Sequence, residues 1–242
     1  MNMGYPMLDE DSIVRIASDK VTPRNTHAAE DIKNWMNMEK PTPGYEERCY
    51  YHEMKKCGHE IDAGAVLEGA LEVIKESASA VGEIAGIGIT SFGETFVMTD
   101  EKGKPLHRAM LYTDPRGKEQ CMELCEKLGA ERICAISGMK PHEMYSLPKI
   151  MWMKENCPEI YKKTKYIFLM EDFLVFHLTG MRRIDYSLAT RTMGFDIRNL
   201  VWSREIFEAA GIDSSIMSQS SVSSSFAFSI RRERICAAIP SP

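Results

Sequence analysis

Between residues 63 and 114 the chain changes its apolar period, and that change limits the fold more than any other feature. From Ala63 to Val81 the apolar positions Val66, Leu67, Ala70, Leu71, Ile74 and Ala78 recur at helical spacing. One face of a helix therefore seeks a core. Residues 84–90, Ile-Ala-Gly-Ile-Gly-Ile-Thr, then give a short apolar run with β-branched members, which reads as a buried strand. Thr95 to Asp100 reads as a second strand and Ala109 to Asp114 as a third. The turn between them, Glu101-Lys-Gly-Lys-Pro105, makes the pair an antiparallel hairpin.

Helices follow. One spans 117–128 and stops at Gly129; another covers about 147–156; Pro158 opens a third at its first turn. Tyr166 to Met170 is a compact strand, and Glu171 to Leu178 a helix closed by Gly180. Ser203 caps a further helix that ends at Gly211. This order of hairpin and then helices is compatible with the α/β class. Residues 1–58 form a divergent segment. Within it Ala28 to Met36 is compatible with a helix, and Pro41, Pro43 and Gly44 break what precedes them. From 218 to 242 serines crowd together before Arg231, Arg232 and Arg234, a composition that reads as a loosely ordered tail. The lobe between, 59–217, carries the readable pattern.

Charge and composition exclude several classes. The formal net charge of -5 argues against a broad nucleic-acid surface, which needs clustered Lys and Arg. No run approaches the ~20 apolar residues of a membrane span, and the start lacks a basic region followed by an apolar stretch. The seven cysteines are scattered without a CxxC, and Cys121 and Cys125 lie one helical turn apart. Packed, reduced thiols in a cytoplasmic protein are the expectation.

Four segments carry residues with chemical potential. In 144–156, Ile150, Trp152 and Met153 give an apolar stripe, and Ser146 and Pro148 stand where helices begin; alone they describe a core-facing helix start. Glu94 follows Gly93 in 86–95 and reads alone as a solvated loop charge. Asp114 and Arg116 stand two residues apart and read equally as a loop-ordering ion pair or a substrate contact. Asp185, before Tyr186 and Ser187, reads alone as the cap of a turn.

Together, and in this order, these segments resemble the FGGY family of carbohydrate kinases. Ser146, Lys149, Ile150, Trp152, Met153, Glu155 and Asn156 fit a signature of that family. The resemblance covers about residues 59–216. It implies a ribonuclease H-like lobe of the actin-type ATPase class, α/β, with a mixed sheet and flanking helices. It implies ATP-dependent phosphorylation of a sugar or polyol hydroxyl, with Mg2+ as the metal. Glu94 matches the carboxylate that accepts substrate hydroxyls in glycerol kinases, whereas Gly93 departs from their pattern and removes one side-chain contact. Asp114 and Arg116 match a Trp-x-Asp-x-Arg segment with Tyr112 in place of Trp. Asp185 matches the leading Asp of Asp-x-Ser/Thr-x-Ala-x-x-Thr, to which the resemblance gives the role of general base.

The family's Asp-x-Gly-Thr phosphate turn is not found in residues 1–62, and no second lobe follows. The expectation is therefore a truncated or frameshifted chain that is inactive alone. It would pair with a missing C-terminal lobe or a second copy. The alternative is a non-catalytic lobe that binds a polyol or a protein partner. Glu94, Asp114 and Asp185 are expected to line one cleft.

Overall fold

The computed structural model describes residues 59–81 and 87–222. The expected helix at 28–36, the breaks at 41–44, the residues 84–86, and 223–242 of the expected tail lie outside the described residues.

The elements in chain order are β1 (Glu60–Ile61), α1 (Ala63–Val81), β2 (Phe96–Thr99), β3 (Ala109–Met110), α2 (Lys118–Leu128), α3 (Ala130–Ser137), α4 (Ser146–Asn156) and α5 (Pro158–Lys163). There follow β4 (Tyr166–Leu169), α6 (Met170–Thr179), β5 (Arg183–Asp185), α7 (Tyr186–Thr190), β6 (Phe195–Asp196), β7 (Val201–Trp202), α8 (Arg204–Ala210) and β8 (Gln219–Ser221). The main sheet has the order β1-β3-β2-β4 with antiparallel neighbours. Parallel pairing enters beside it. Met217 bridges Ile167 of β4 in parallel, and the chain then runs on as β8 in parallel with β5. The α/β class stands.

The sheet is covered on both faces, and the strands show it residue by residue. Phe96, Met98, Ile167 and Leu169 enter a large core with Leu124, Ile150 and Phe207. Their neighbours Val97 and Phe168 point the other way, into a smaller core with Ala63 and Phe173. Alternate residues of a strand face opposite sides, so a strand buried throughout must have helices above and below it. The stripe of α1 faces inward as its spacing requires. Val66, Leu67, Ala70, Leu71, Ile74 and Ala78 are all half-buried, while Glu68, Glu72 and Glu76 are exposed.

Three local readings need correction. Residues 87–90, the described part of the expected first buried strand, are irregular. A strand requires a hydrogen-bonded neighbour, and these residues have none among the described strands. The third strand stops at Met110, because the chain turns at 112–113. Residues 218–222 are not a loose start to the tail. Ser218 is buried, and 219–221 pair with β5. The Ser218 hydroxyl donates to the wholly buried Asp172 at 2.5 Å, and the Trp202 indole N–H donates to the Ser218 carbonyl at 2.8 Å. Serine composition says nothing of these tertiary partners. Cys121, Cys125, Cys134 and Cys157 are free thiols. No described helix is long and apolar enough to cross a membrane.

Candidate active site

The segment 87–95 leads into β2, and three helix starts gather around it. Ser146, at the start of α4, donates its hydroxyl to the Glu94 carbonyl at 2.8 Å and so fixes the loop. Glu171 lies in the first turn of α6, directly after β4. Asp185 ends β5 and caps α7, its Oδ1 accepting from Ser187 N at 2.6 Å and Leu188 N at 3.0 Å. Arg191 follows α7 and sets Nη1 3.1 Å from Glu94 Oε1. Gly93, Glu94, Glu171, Asp185, Ser187 and Arg191 all line one cleft of about 460 Å³. Side chains far apart in sequence thus meet where loops leave a rigid sheet, the usual place for a binding site.

Gly93 has a steric reason. A Cβ there would stand 2.8 Å from Arg191 Cγ and 3.2 Å from Leu188 Cδ2. Glycine lets α7 and the Arg191 stem lie against the loop, which carries the guanidinium to Glu94.

The cleft's ionisation follows from its contacts. Burial pulls the Asp185 carboxyl up, but hydrogen bonds from Ser187, Leu188 and Glu171 outweigh it and hold the group below its ordinary range. Glu171 goes the other way, pushed up to about 8 by burial and then by the charge of Asp185. The two shifts run in opposite directions, so of the pair Glu171 is the one that takes up a proton first. Asp172, wholly buried behind them, is also pushed up to about 8 by burial, against hydrogen bonds from Ser218 and Leu169.

Asp114 and Arg116 are elsewhere. Neither lines the cleft. The Asp114 carboxylate is enclosed and accepts from His59 N at 2.7 Å, Arg116 N and Nε at 2.9 Å, and Arg116 Nη2 at 2.6 Å. Arg116 also reaches Glu60 at 2.7 Å, and its guanidinium lies 4.9 Å from the centre of the Trp152 ring. This network ties β1 to α4, which is the ion-pair alternative left open by the sequence. The expectation that Asp114 shares a cleft with Glu94 and Asp185 is corrected on this point: its lone pairs are spent on the network. Lys149 is fully buried and donates to the Glu143 carbonyl. Burial pushes it down to about 8, resisted by Asp114, Glu143 and Glu94.

Sequence reasoning missed Glu171 and Arg191. The signal for Glu171 was an acid one residue past a strand, where a helix begins. Arg191 lay inside the Asp185 segment but carried no motif role.

Phosphates favour helix N-termini with free N–H groups. The two helix starts that bring Glu171 and Asp185 to the cleft already carry those acids. No group of three or more His, Cys, Asp or Glu among the described residues is placed to hold a metal ion. At these helix starts hydroxyl donors find carboxylate acceptors.

Residues 45–236 match the family profile described as the FGGY family of carbohydrate kinases, N-terminal domain. A domain of unknown function matches residues 1–70. The chain is 36% identical over 152 residues to a xylulose kinase of Lactococcus lactis, covering 62% of this chain and 30% of that protein. It is 33% identical over 162 residues to a glycerol kinase of Thermococcus onnurineus, covering 65% and 33%. It thus spans about a third of the length of these relatives. Among solved structures, a gluconate kinase from Lactobacillus acidophilus superposes with a TM-score of 0.66 at 19% identity, covering 75% of this chain and 37% of that one. Plasmodium falciparum glycerol kinase with ADP gives 0.63 at 25%, covering 76% and 36%. With a profile match over most of its length, an alternately faced sheet and the ordered segments around 94, 146 and 185, the chain belongs to the FGGY family of carbohydrate kinases, through its N-terminal domain.

Proposed function

We propose that this domain is the acceptor side of a sugar or polyol kinase, and that the cleft holds the substrate whose hydroxyl receives the γ-phosphoryl group of ATP. The observation that carries this is the meeting of Glu94 and Asp185 in one cleft with Glu171 and Arg191. Ionised carboxylates accept hydrogen bonds from hydroxyls, two or more at once, and a guanidinium donates to hydroxyl or carbonyl oxygen. Phosphoryl transfer asks the protein chiefly for such alignment and for charge stabilisation.

Within this reading Glu94 binds hydroxyls, held in place by Arg191. Asp185, which lines the same cleft, takes the general-base role that the family resemblance gives it. Its Oδ1 accepts from Ser187 N and Leu188 N, which fixes the carboxylate at the start of α7. Glu171, pushed up to about 8 by burial and the charge of Asp185, is the neighbouring proton-holding group. ATP is the donor that the family implies.

Titration calorimetry of the purified chain with xylitol, D-xylulose and glycerol tests the reading. At least one should bind, with Glu94→Ala abolishing binding, and a coupled ADP-release assay should show no turnover by this chain alone. Absence of binding by all three, or unchanged binding in Glu94→Ala, would defeat it.

A further inference from the structure

Four ionisable side chains line the cleft, and their pairing decides the charge that a ligand meets. Glu94 is 7% exposed, and Arg191 lies 3.1 Å away from its Oε1, so these two cancel. Arg191 reaches this place because residue 93 offers no Cβ: one there would stand 2.8 Å from Arg191 Cγ. Glu171 and Asp185 line the same cleft, where burial and the charge of Asp185 push Glu171 up to about 8. The backbone N–H groups of Ser187 and Leu188 favour the ionised form of Asp185, so the proton rests on Glu171. Pairing thus leaves one net negative charge on the described lining, that of Asp185, with Arg191 as the only cation there and already committed. Behind the walls, Asp172 is wholly buried and Lys149 fully enclosed, so neither is open to a ligand.

We propose that the cleft selects uncharged polyhydroxy ligands, alditols and ketoses, against sugar acids, and that Arg191, by cancelling Glu94, sets how strong that discrimination is. The proposal rests on the reading of this cleft as the acceptor site. A hydroxyl donates to Glu94 or Asp185 and accepts from Arg191. A ligand carboxylate can donate to neither acid and meets the charge of Asp185 unopposed. Discrimination here comes from a repulsive element as much as from an attractive one.

The test is a matched pair of ligands, xylitol and xylonate, which differ only at the terminal carbon. Each is titrated calorimetrically into the full chain at pH 7 and constant ionic strength. Xylitol should bind about tenfold more tightly, as expected for one screened like-charge contact in a half-open site. Glu94→Gln releases the guanidinium and removes one carboxylate, so the preference should shrink toward parity. Arg191→Met, at a half-exposed position that leaves the fold intact, should widen it. That variant decides the matter where Glu94→Gln binds neither ligand. Equal binding of the two ligands by the unaltered chain, or an unchanged ratio in Arg191→Met, overturns the proposal and leaves the acceptor-site reading standing. Failure of the unaltered chain to bind either ligand overturns both.

Discussion

Replacing Asp185 by alanine should destabilise the domain by about 2 kcal/mol, whereas Asp185→Asn should cost less than about 1 kcal/mol. The carboxylate accepts from Ser187 N at 2.6 Å and from Leu188 N at 3.0 Å, and so caps α7. Loss of such a cap costs about 1 kcal/mol. Alanine also strips Glu171 of its acceptor, and an unpartnered buried polar group costs ~1–3 kcal/mol. Glu171 is only half-buried, so the lower end applies. Asparagine keeps an oxygen for the cap and an amide for Glu171. Thermal unfolding can be followed by fluorescence, since Trp152 and Trp202 both pack on the main core. At roughly 2–4 °C per kcal/mol for a chain of this size, the alanine variant should melt ~4–8 °C lower. An alanine variant that melts with the unaltered protein would show that the carboxylate does not hold α7. Equal losses in both variants would show that charge, rather than the cap, carries the effect.

Two further outcomes are expected. Glu171 and Asp172 are both pushed up to about 8, so the folded chain keeps protons that the unfolded chain has released above the ordinary carboxylate range. Stability should therefore fall as pH rises from that range through about 8. Asp185 acts in the opposite sense: its contribution is present above the ordinary carboxylate pKa and lost as pH falls through its lowered value. Melting temperatures taken between pH 5 and 8, below the range in which Lys149 releases its proton, should decline, with a flatter profile in Glu171→Gln; a rise between pH 6 and 8 would contradict the argument. Arg116→Ala leaves the enclosed Asp114 carboxylate with only backbone donors and should destabilise by about 3–5 kcal/mol. It should leave polyol affinity unchanged, so lost affinity at unchanged stability would return Arg116 to the substrate.

Much of the domain was legible because it is local. Period 3.6 in α1, glycine stops at 129, 180 and 211, and the serine cap at 203 each depend on a few neighbouring residues, and all are found. The short elements were not. β5, β6 and β7 have two or three residues each, too few to show a period, and they exist through partners such as Ser221 opposite Asp185.

The order of motifs determined the family, and their residue types determined that a carboxylate would follow the loop at 94 and another would stand at 185. Which of those carboxylates face a ligand was decided by the tertiary structure alone. Asp114 and Asp185 look alike in sequence, each an acid at a strand end. One is enclosed by Arg116 and the His59 amide; the other opens on a cleft that Glu171 also lines. Charge and access depend on groups brought together from distant segments, and so does the proton count of a carboxyl pair. The placement of Arg191 over Gly93 is of the same kind: glycine declares only that space is needed, and the packed fold decides what fills it.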